Sequence, residues 1–514
     1  MRLSQSKMAF AILSICIFSH LACETKRGKV KVSGSGKGSA SAAGVPNAEA
    51  ESLPSADIGA SLPNETPLGI SEDFLSVADH PMSTFSADVD TASYTRFREG
   101  LTYGYMMPPE QIRVEEFLNY FPYEYREPSA DEVFSFNFSQ GVSPWASTNR
   151  LLRFGIKGFS PEGMDQAAKN LAILVDVSGS MSGHLPLVKE SLNLLADKLG
   201  ANDRISIVAY AGNSWIILPS TTGDQTELIK GSIGQLQSGG STNGSKGIIT
   251  AYDLVNEYFI AGGVNRVILV TDGDFNVGVT SADELVSLVQ EKSQQGVFLN
   301  VLGFGKNGND PMLEKLTNDG NGTYNYVDSI KEADKIFGVD LYKGLVTIAK
   351  DLKFQIEFNP DLVDQYRLIG YNNRRLEDDD FANDQKDAGD TGAGHEITAL
   401  YEVILKDGTD FSAGPLSVGT FKLRYKEPEA SESRELSQEI QDDGLDGILS
   451  DADFAFQAGI AAAAMKFRQS EHTLDYQFQG ISDLLAPGLL NDPLGIRTEF
   501  QSLVNQAQGM IVSQ

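Results

Sequence analysis

Between residues 170 and 343 short apolar runs alternate with amphipathic segments, and this alternation constrains the fold more than any other feature of the sequence. The first run, Asn170-Leu-Ala-Ile-Leu-Val175, has no polar face and reads as a strand buried on both sides, as the strands of parallel sheets are. A helix follows it with Leu185, Val188, Leu192, Leu195 and Leu199 turned inward. Further strands are expected at 204–210, 215–218, 266–270, 297–302 and 324–327. Helices are expected at 227–236, up to Tyr258, at 282–295, at 311–317 and in a closing segment up to Tyr342. The pattern predicts an α/β domain with a doubly wound, mostly parallel sheet covered by helices on both faces. In such a sheet ligands bind beyond the carboxyl ends of the strands.

The loops at that edge carry a consistent set of oxygen donors. Asp176-Val-Ser-Gly-Ser180 directly follows the first strand, and one carboxylate with two hydroxyls two residues apart suits Mg²⁺ better than zinc or copper. Alone, the stretch equally describes a turn or a helix N-cap. Two more loops corroborate the metal. Ser241-Thr242-Asn243 follows a glycine pair at the mouth of a helix, and Thr271-Asp272-Gly273 ends the strand at Val270. Asp176, Ser178, Ser180, Thr242 and Asp272 thus converge from three loops. Two carboxylates and three hydroxyls fit an octahedral Mg²⁺ that keeps waters and leaves one position for an incoming ligand, with Mn²⁺ or Ca²⁺ as alternatives.

The order Asp-x-Ser-x-Ser, Gly-Gly-x-Thr-Asn, Thr-Asp-Gly, each after the expected element, resembles the von Willebrand factor type A domain and its metal-ion-dependent adhesion site. The resemblance covers roughly residues 170–343 and implies a Rossmann-like fold. It also implies that Ser178, Ser180 and Thr242 touch the metal directly or nearly so, while Asp176 and Asp272 act partly through bound water. The stretches from Asp79 to Tyr94, from Asp380 to Gly389 and from Gly394 to Tyr401 resemble the flanking domains of the bacterial YfbK-like von Willebrand A proteins, a family usually exported. In relatives of this domain, ligand binding is coupled to movement of the last helix, here near Ile330 to Tyr342, which feeds straight into the flanking region.

Outside this domain the reading is β-rich, then helical. Ser86-Ala-Asp-Val-Asp90 precedes a helix starting near Thr91. Asp88 and Asp90 suit either a cation or a polar turn capping that helix, the better-supported reading. Ile112 to Phe121 has helical spacing, and 133–138 and 150–157 alternate as strands. Two strands cannot stand alone. Similar segments return only at 352–358, 363–369, 396–405 and 416–425, so the α/β domain is expected to be inserted in a β-rich one. A helical tail is expected beyond Glu429, with Phe454 to Phe467 amphipathic and its alanines closely packed.

The N-terminus has Arg2 and Lys7, an apolar segment from Met8 to Phe18 and then His20-Leu-Ala-Cys23, which resembles a bacterial lipobox, although His20 replaces the usual aliphatic residue. Cys23 would be the lipidated first residue of the mature chain. The only other cysteine, Cys16, lies inside the signal, so no internal disulfide can form. The Gly- and Ser-rich stretch that follows reads as a flexible tether. The expected organisation is therefore a signal peptide over 1–23, a disordered tether over 24–68, an N-terminal flank over 69–165, the α/β domain over 166–345 and a C-terminal flank over 346–514. The destination is a bacterial cell envelope, anchored at the inner or the outer membrane.

A net charge of −29 over 514 residues argues against nucleic-acid binding. His395-Glu396 lacks a second His four residues after the first, and Gly240 to Gly247 lacks the Gly-Lys-Ser/Thr ending of a P-loop. The acidic run from Glu377 through Asp384, Asp387 and Asp390 fails the EF-hand spacing and reads as a solvated loop rather than a calcium site. The expected function is metal-dependent binding of a protein partner that contributes an Asp or Glu. The alternatives are a scaffold in which metal only stabilises loops, and a Mg²⁺-assisted hydrolase for which no base stands beside the site.

Overall fold

In the computed structural model the described residues are 72–87, 90–160, 167–240, 245–273, 282–305, 310–320, 322–338, 346–386, 388–428 and 430–512. Cys23, the signal and the tether lie outside them, as do Asp88, Thr242 and Asp387. Residues from Thr66 onward belong to one compact unit.

The chain enters through Leu75–Ser76 (β1), Met82–Ser86 (β2), Ala92–Thr102 (α1) and Val114–Leu118 (α2), then forms Phe134–Val142 (β3) and Arg150–Gly158 (β4). Helical spacing predicts a helix from Ile112 to Phe121; only its centre is helical, and Tyr120, Phe121, Tyr123 and Tyr125 are core side chains of the turn and irregular segment that follow it.

The middle domain comprises Lys169–Asp176 (β5), Leu185–Lys198 (α3), Arg204–Tyr210 (β6), Ser214–Thr222 (β7), Thr226–Gly234 (α4), Ser245–Glu257 (α5), Val264–Thr271 (β8), Ala282–Gln294 (α6), Phe298–Gly303 (β9), Asp310–Asp319 (α7), Tyr324–Tyr326 (β10) and Ile330–Gly338 (α8). The strand order is β10-β9-β8-β5-β6-β7, parallel except for β7, which runs antiparallel at the edge. All eight residues of β5 and of β8 are buried, which explains their unbroken apolar character. One core joins the sheet to α3, α4 and α8, the other to α5, α6 and α7. From β5 the chain moves to β6 on one side and later returns to β8 on the other. The carboxyl end of β5, where Asp176 sits, is therefore the topological switch point of the sheet.

The last part forms Thr347–Phe358 (β11), Val363–Ile369 (β12), Arg375–Leu376 (β13), Gly389–Gly392 (β14), Glu396–Leu405 (β15), Leu416–Lys426 (β16) and Ser433–Asp442 (β17), then Ala452–Phe467 (α9), Phe478–Leu485 (α10) and Ile496–Val512 (α11). Two sheets, β1-β12-β15-β4-β3 and β13-β2-β11-β16-β17, face each other across Phe85, Phe154, Phe354, Tyr401 and Phe421. Each sheet mixes strands from before and after the middle domain, which is therefore an insertion in a strand-rich flanking region. A helical region built from α1, α2, α9, α10 and α11 has its own core.

Two expectations about the tail are corrected. The chain beyond Glu429 begins not with helix but with β17, an edge strand whose charged residues other than the buried Asp442 are largely exposed, which hides its β character. Helix α9 is not amphipathic: thirteen of its sixteen residues are buried, and it runs through the middle of the helical core. A Cβ at Gly459 would lie 2.7 Å from Leu485 Cδ2, so glycine there lets α10 approach closely.

The middle domain is joined to the flanks at Arg98 of α1. Its guanidinium donates to both oxygens of Asp328 at 2.7 and 2.6 Å, to Glu332 at 2.7 Å, to the Tyr120 hydroxyl at 2.8 Å and to Glu499 at 3.3 Å. Asp328 lies two residues before α8, Glu332 in its first turn and Glu499 in α11, so one buried cation on α1 gathers three segments distant in sequence.

Candidate metal centre

Strand β5 ends by delivering Asp176 to the sheet edge with no exposed surface. Its Oδ1 accepts the backbone N–H of Ser178 at 2.8 Å, and its Oδ2 accepts the hydroxyls of Tyr210 at 3.1 Å and of Thr271 at 3.5 Å. The carboxylate is thus oriented by the last residues of β6 and β8, the two strands that flank β5. Burial pushes its carboxyl up to about 6; the Ser178 and Tyr210 hydrogen bonds oppose that rise, and the charge of Asp272 adds to it. Asp272, one residue past the end of β8, is itself 3% exposed.

Ser178 is buried and Ser180 exposed, and their hydroxyls are hydrogen-bonded to each other with the oxygens 2.9 Å apart. Oxygens on neighbouring vertices of a Mg²⁺ octahedron with bonds of about 2.1 Å are about 3 Å apart. The second loop is drawn against the first by its backbone: Gly239 N–H donates to Val177 O at 2.7 Å, and Gly179 N–H donates to Gly240 O at 3.2 Å. Gly240 has φ +95°, a conformation that favours glycine, so the glycine pair serves to lay this loop on the Asp176 turn. Thr242, two residues further on, lies outside the described residues.

The residues fit a small, hard divalent cation. The donors are carboxylate and hydroxyl oxygens, two hydroxyls already have the spacing of adjacent ligands, and a cation would offset the cost of holding Asp176 ionised beside Asp272. Among the described residues no cluster of three or more His, Cys, Asp or Glu side chains is placed to hold a metal. Sequence reasoning missed Tyr210 and gave Thr271 no role. Tyr210 reads as the last residue of an apolar strand, and only the register that sets it beside Asp176 gives its hydroxyl a purpose.

Several other carboxylates singled out from the sequence, among the described residues, have structural partners. Asp90 accepts from Arg374 at 3.0 Å, while Thr91, at the N-cap of α1, makes no side-chain capping bond. In the acidic run, Asp378 accepts from Thr84 at 2.9 Å, Asp384 from Arg424 at 2.9 Å, and Asp390 from the Asp351 N–H at 3.2 Å. The Lys353 ammonium threads the same loop, donating to the carbonyls of Asp380 and Asn383 at 3.1 and 2.6 Å. The run is therefore tied down by cationic and hydroxyl partners more than a solvated loop would be. Glu396 pairs with Lys157 at 3.0 Å, and His395 Nδ1 accepts the Gly392 N–H at 3.2 Å.

With this geometry in hand, family profiles place the chain. The profile described as von Willebrand factor type A domain matches residues 170–338, one described as von Willebrand factor matches 69–153, and one described as Uncharacterized protein YfbK, C-terminal, matches 343–510. The Escherichia coli K12 protein described as Uncharacterized protein YfbK is 37% identical over 459 residues, covering 84% of this chain and 79% of that one. Pig inter-alpha-trypsin inhibitor heavy chain H2 is 34% identical over 173 residues, 32% of this chain and 18% of that protein. A solved von Willebrand factor type A structure from Catenulispora acidiphila has a TM-score of 0.40 and 14% identity, covering 72% of this chain and 90% of that one. Von Willebrand factor type A domains commonly mediate protein–protein interaction, often with a divalent metal. The chain belongs to the YfbK-like family of von Willebrand factor type A proteins.

Proposed function

We propose that this is an exported protein, anchored to a bacterial membrane through lipid on Cys23, that binds a protein partner at a Mg²⁺-dependent adhesion site. Ser178, Ser180 and Thr242 would hold the metal, with Asp176 and Asp272 acting partly through water. The bound metal would supply an open coordination position for an Asp or Glu of the partner. The observation that carries this reading is the switch-point cluster itself: a fully buried carboxylate, two hydroxyls 2.9 Å apart and a second buried carboxylate. Both oxygens of Asp176 are engaged by N–H and O–H donors, which suits a positioned ligand rather than a catalytic base, and we assign no catalytic step.

The test is capture of partners from membrane extract with and without EDTA, comparing the wild type with Asp176→Ala. Capture that disappears with EDTA and with the substitution supports the reading. Capture unaffected by either sinks it and favours a scaffold, in which EDTA lowers the melting temperature and leaves association unchanged. Release of the chain from membranes by Cys23→Ser is the corresponding check on the anchor; a variant that stays membrane-bound contradicts it.

A further inference from the structure

Most exposed large apolar side chains of the middle domain stand singly, as Leu228, Ile249 and Phe259 do, which is ordinary for a protein surface. Trp215 and Ile216 are different: they are consecutive on β7, the edge strand, and are 44% and 47% exposed. Their place in the register gives them meaning. Asp176 lies beside Tyr210 on β6 and Tyr210 beside Ser214 on β7, while the next row holds Val175, Ala209 and Trp215. With strands about 4.8 Å apart and about 3.3 Å per residue along them, Trp215 Cα stands roughly 10 Å from Asp176 Cα. A standard interface covers about 800 Å² per partner, a footprint of radius about 16 Å. A footprint of that radius centred on the Asp176 turn therefore includes the Trp215 position.

The turn of Ala211, Gly212 and Asn213 that joins β6 to β7 abuts the second metal loop, where a Cβ on Gly240 would meet Ala211 Cβ at 3.5 Å. Opposed residues of an antiparallel pair point to the same side, so Trp215 faces the side of Ala209 and Ile216 that of Val208. The pair thus straddles the sheet edge as a ridge. Charge argues in the same direction. A chain with a net charge of −29 repels an acidic partner at long range, so a carboxylate-bearing ligand needs apolar burial beside the metal to be held.

We infer that Trp215 and Ile216 form the apolar half of the partner-binding surface, and that the partner is a protein presenting an Asp or Glu with a bulky apolar side chain about 10 Å away, three residues along an extended segment. The inference rests on the metal-dependent reading of the site given above. It is tested by exposing the immobilised full chain to a displayed library of random short peptides in Mg²⁺ and eluting with EDTA. Enriched peptides should pair an acidic residue with Trp, Phe, Leu or Ile about three positions away. Binding of a selected peptide should blue-shift the emission of Trp215, one of only two tryptophans. Trp215→Ser should weaken that peptide at least tenfold, and Ile216→Ser should weaken it as well. Acid-bearing peptides with no apolar preference, bound equally by Trp215→Ser, would overturn this inference while leaving the metal-dependent site standing. Absence of any EDTA-eluted enrichment, or enrichment undiminished in Asp176→Ala, would overturn both.

Discussion

Asp176 shows how a single residue can be costly alone and useful in company. Its carboxyl is raised from the ordinary 3.8 to about 6 by burial. The protonated form is therefore favoured by folding, and the contribution is fully present below the unfolded value and lost as pH rises through about 6. At about 1.4 kcal/mol per pKa unit this amounts to roughly 3 kcal/mol over the whole range from well below pH 3.8 to well above pH 6 in metal-free protein. Asp176→Asn should consequently melt a few degrees higher than wild type at pH 7.5 in EDTA, with the gain vanishing near pH 4. It should also lose the stabilisation that Mg²⁺ gives the wild type, and thermal melts at the two pH values with and without metal read both effects. Gly240→Ala, forced to a φ of +95°, should cost about 1–2 kcal/mol and weaken metal binding by displacing the second loop, read by denaturant unfolding and Mg²⁺ titration. The candidate donors Asp176, Ser178, Ser180 and Asp272 could be singled out in the sequence because they follow recognisable strands. Tyr210 could not, because a hydroxyl on an apolar strand announces nothing until register sets it beside a carboxylate.

Among the elements, α8 and α9 carry the sharpest consequences. Helix α8 closes the middle domain and is held to α1 and α11 through the buried Arg98. Arg98→Met leaves Asp328 and Glu332 buried without their guanidinium, and should cost about 3–5 kcal/mol. Unfolding by urea should show the loss; a loss under 1 kcal/mol would contradict the role given to Arg98. Helix α9 tolerates little added volume, so Gly459→Leu should destabilise by about 1–3 kcal/mol or more through overpacking against Leu485. The strands and helices of the middle domain were legible from periodicity because each has one class of environment. Where that simplicity ends, the sequence misleads. Strand β17 buries little beyond Ile440 and Asp442, so its charged alternation passes for a helical surface, while α9 is apolar on every side and has no polar stripe to mark its period.

For the whole molecule, the interleaving of the two flanking sheets is the organising fact. Strands β3 and β4 need β15, and β2 needs β11, so a chain ending at residue 345 should leave its first part unfolded and aggregation-prone while a fragment of the middle domain keeps its own two cores. The insertion was legible because two strands before the middle domain could not stand alone, whereas the Arg98 junction was not, since no local pattern reports contacts between residues 98, 332 and 499. Under the proposed function the middle domain presents its switch point to a partner, while its closing helix is fixed to the flanks through Arg98. This account stands on a divalent cation being held at Asp176, Ser178, Ser180, Thr242 and Asp272. Calorimetric titration of the metal-free full chain with Mg²⁺ tests that most directly. The account predicts one site per chain, lost in Asp176→Ala and weakened in Ser178→Ala; equal binding by the wild type and both variants, or no binding by the wild type, would contradict it.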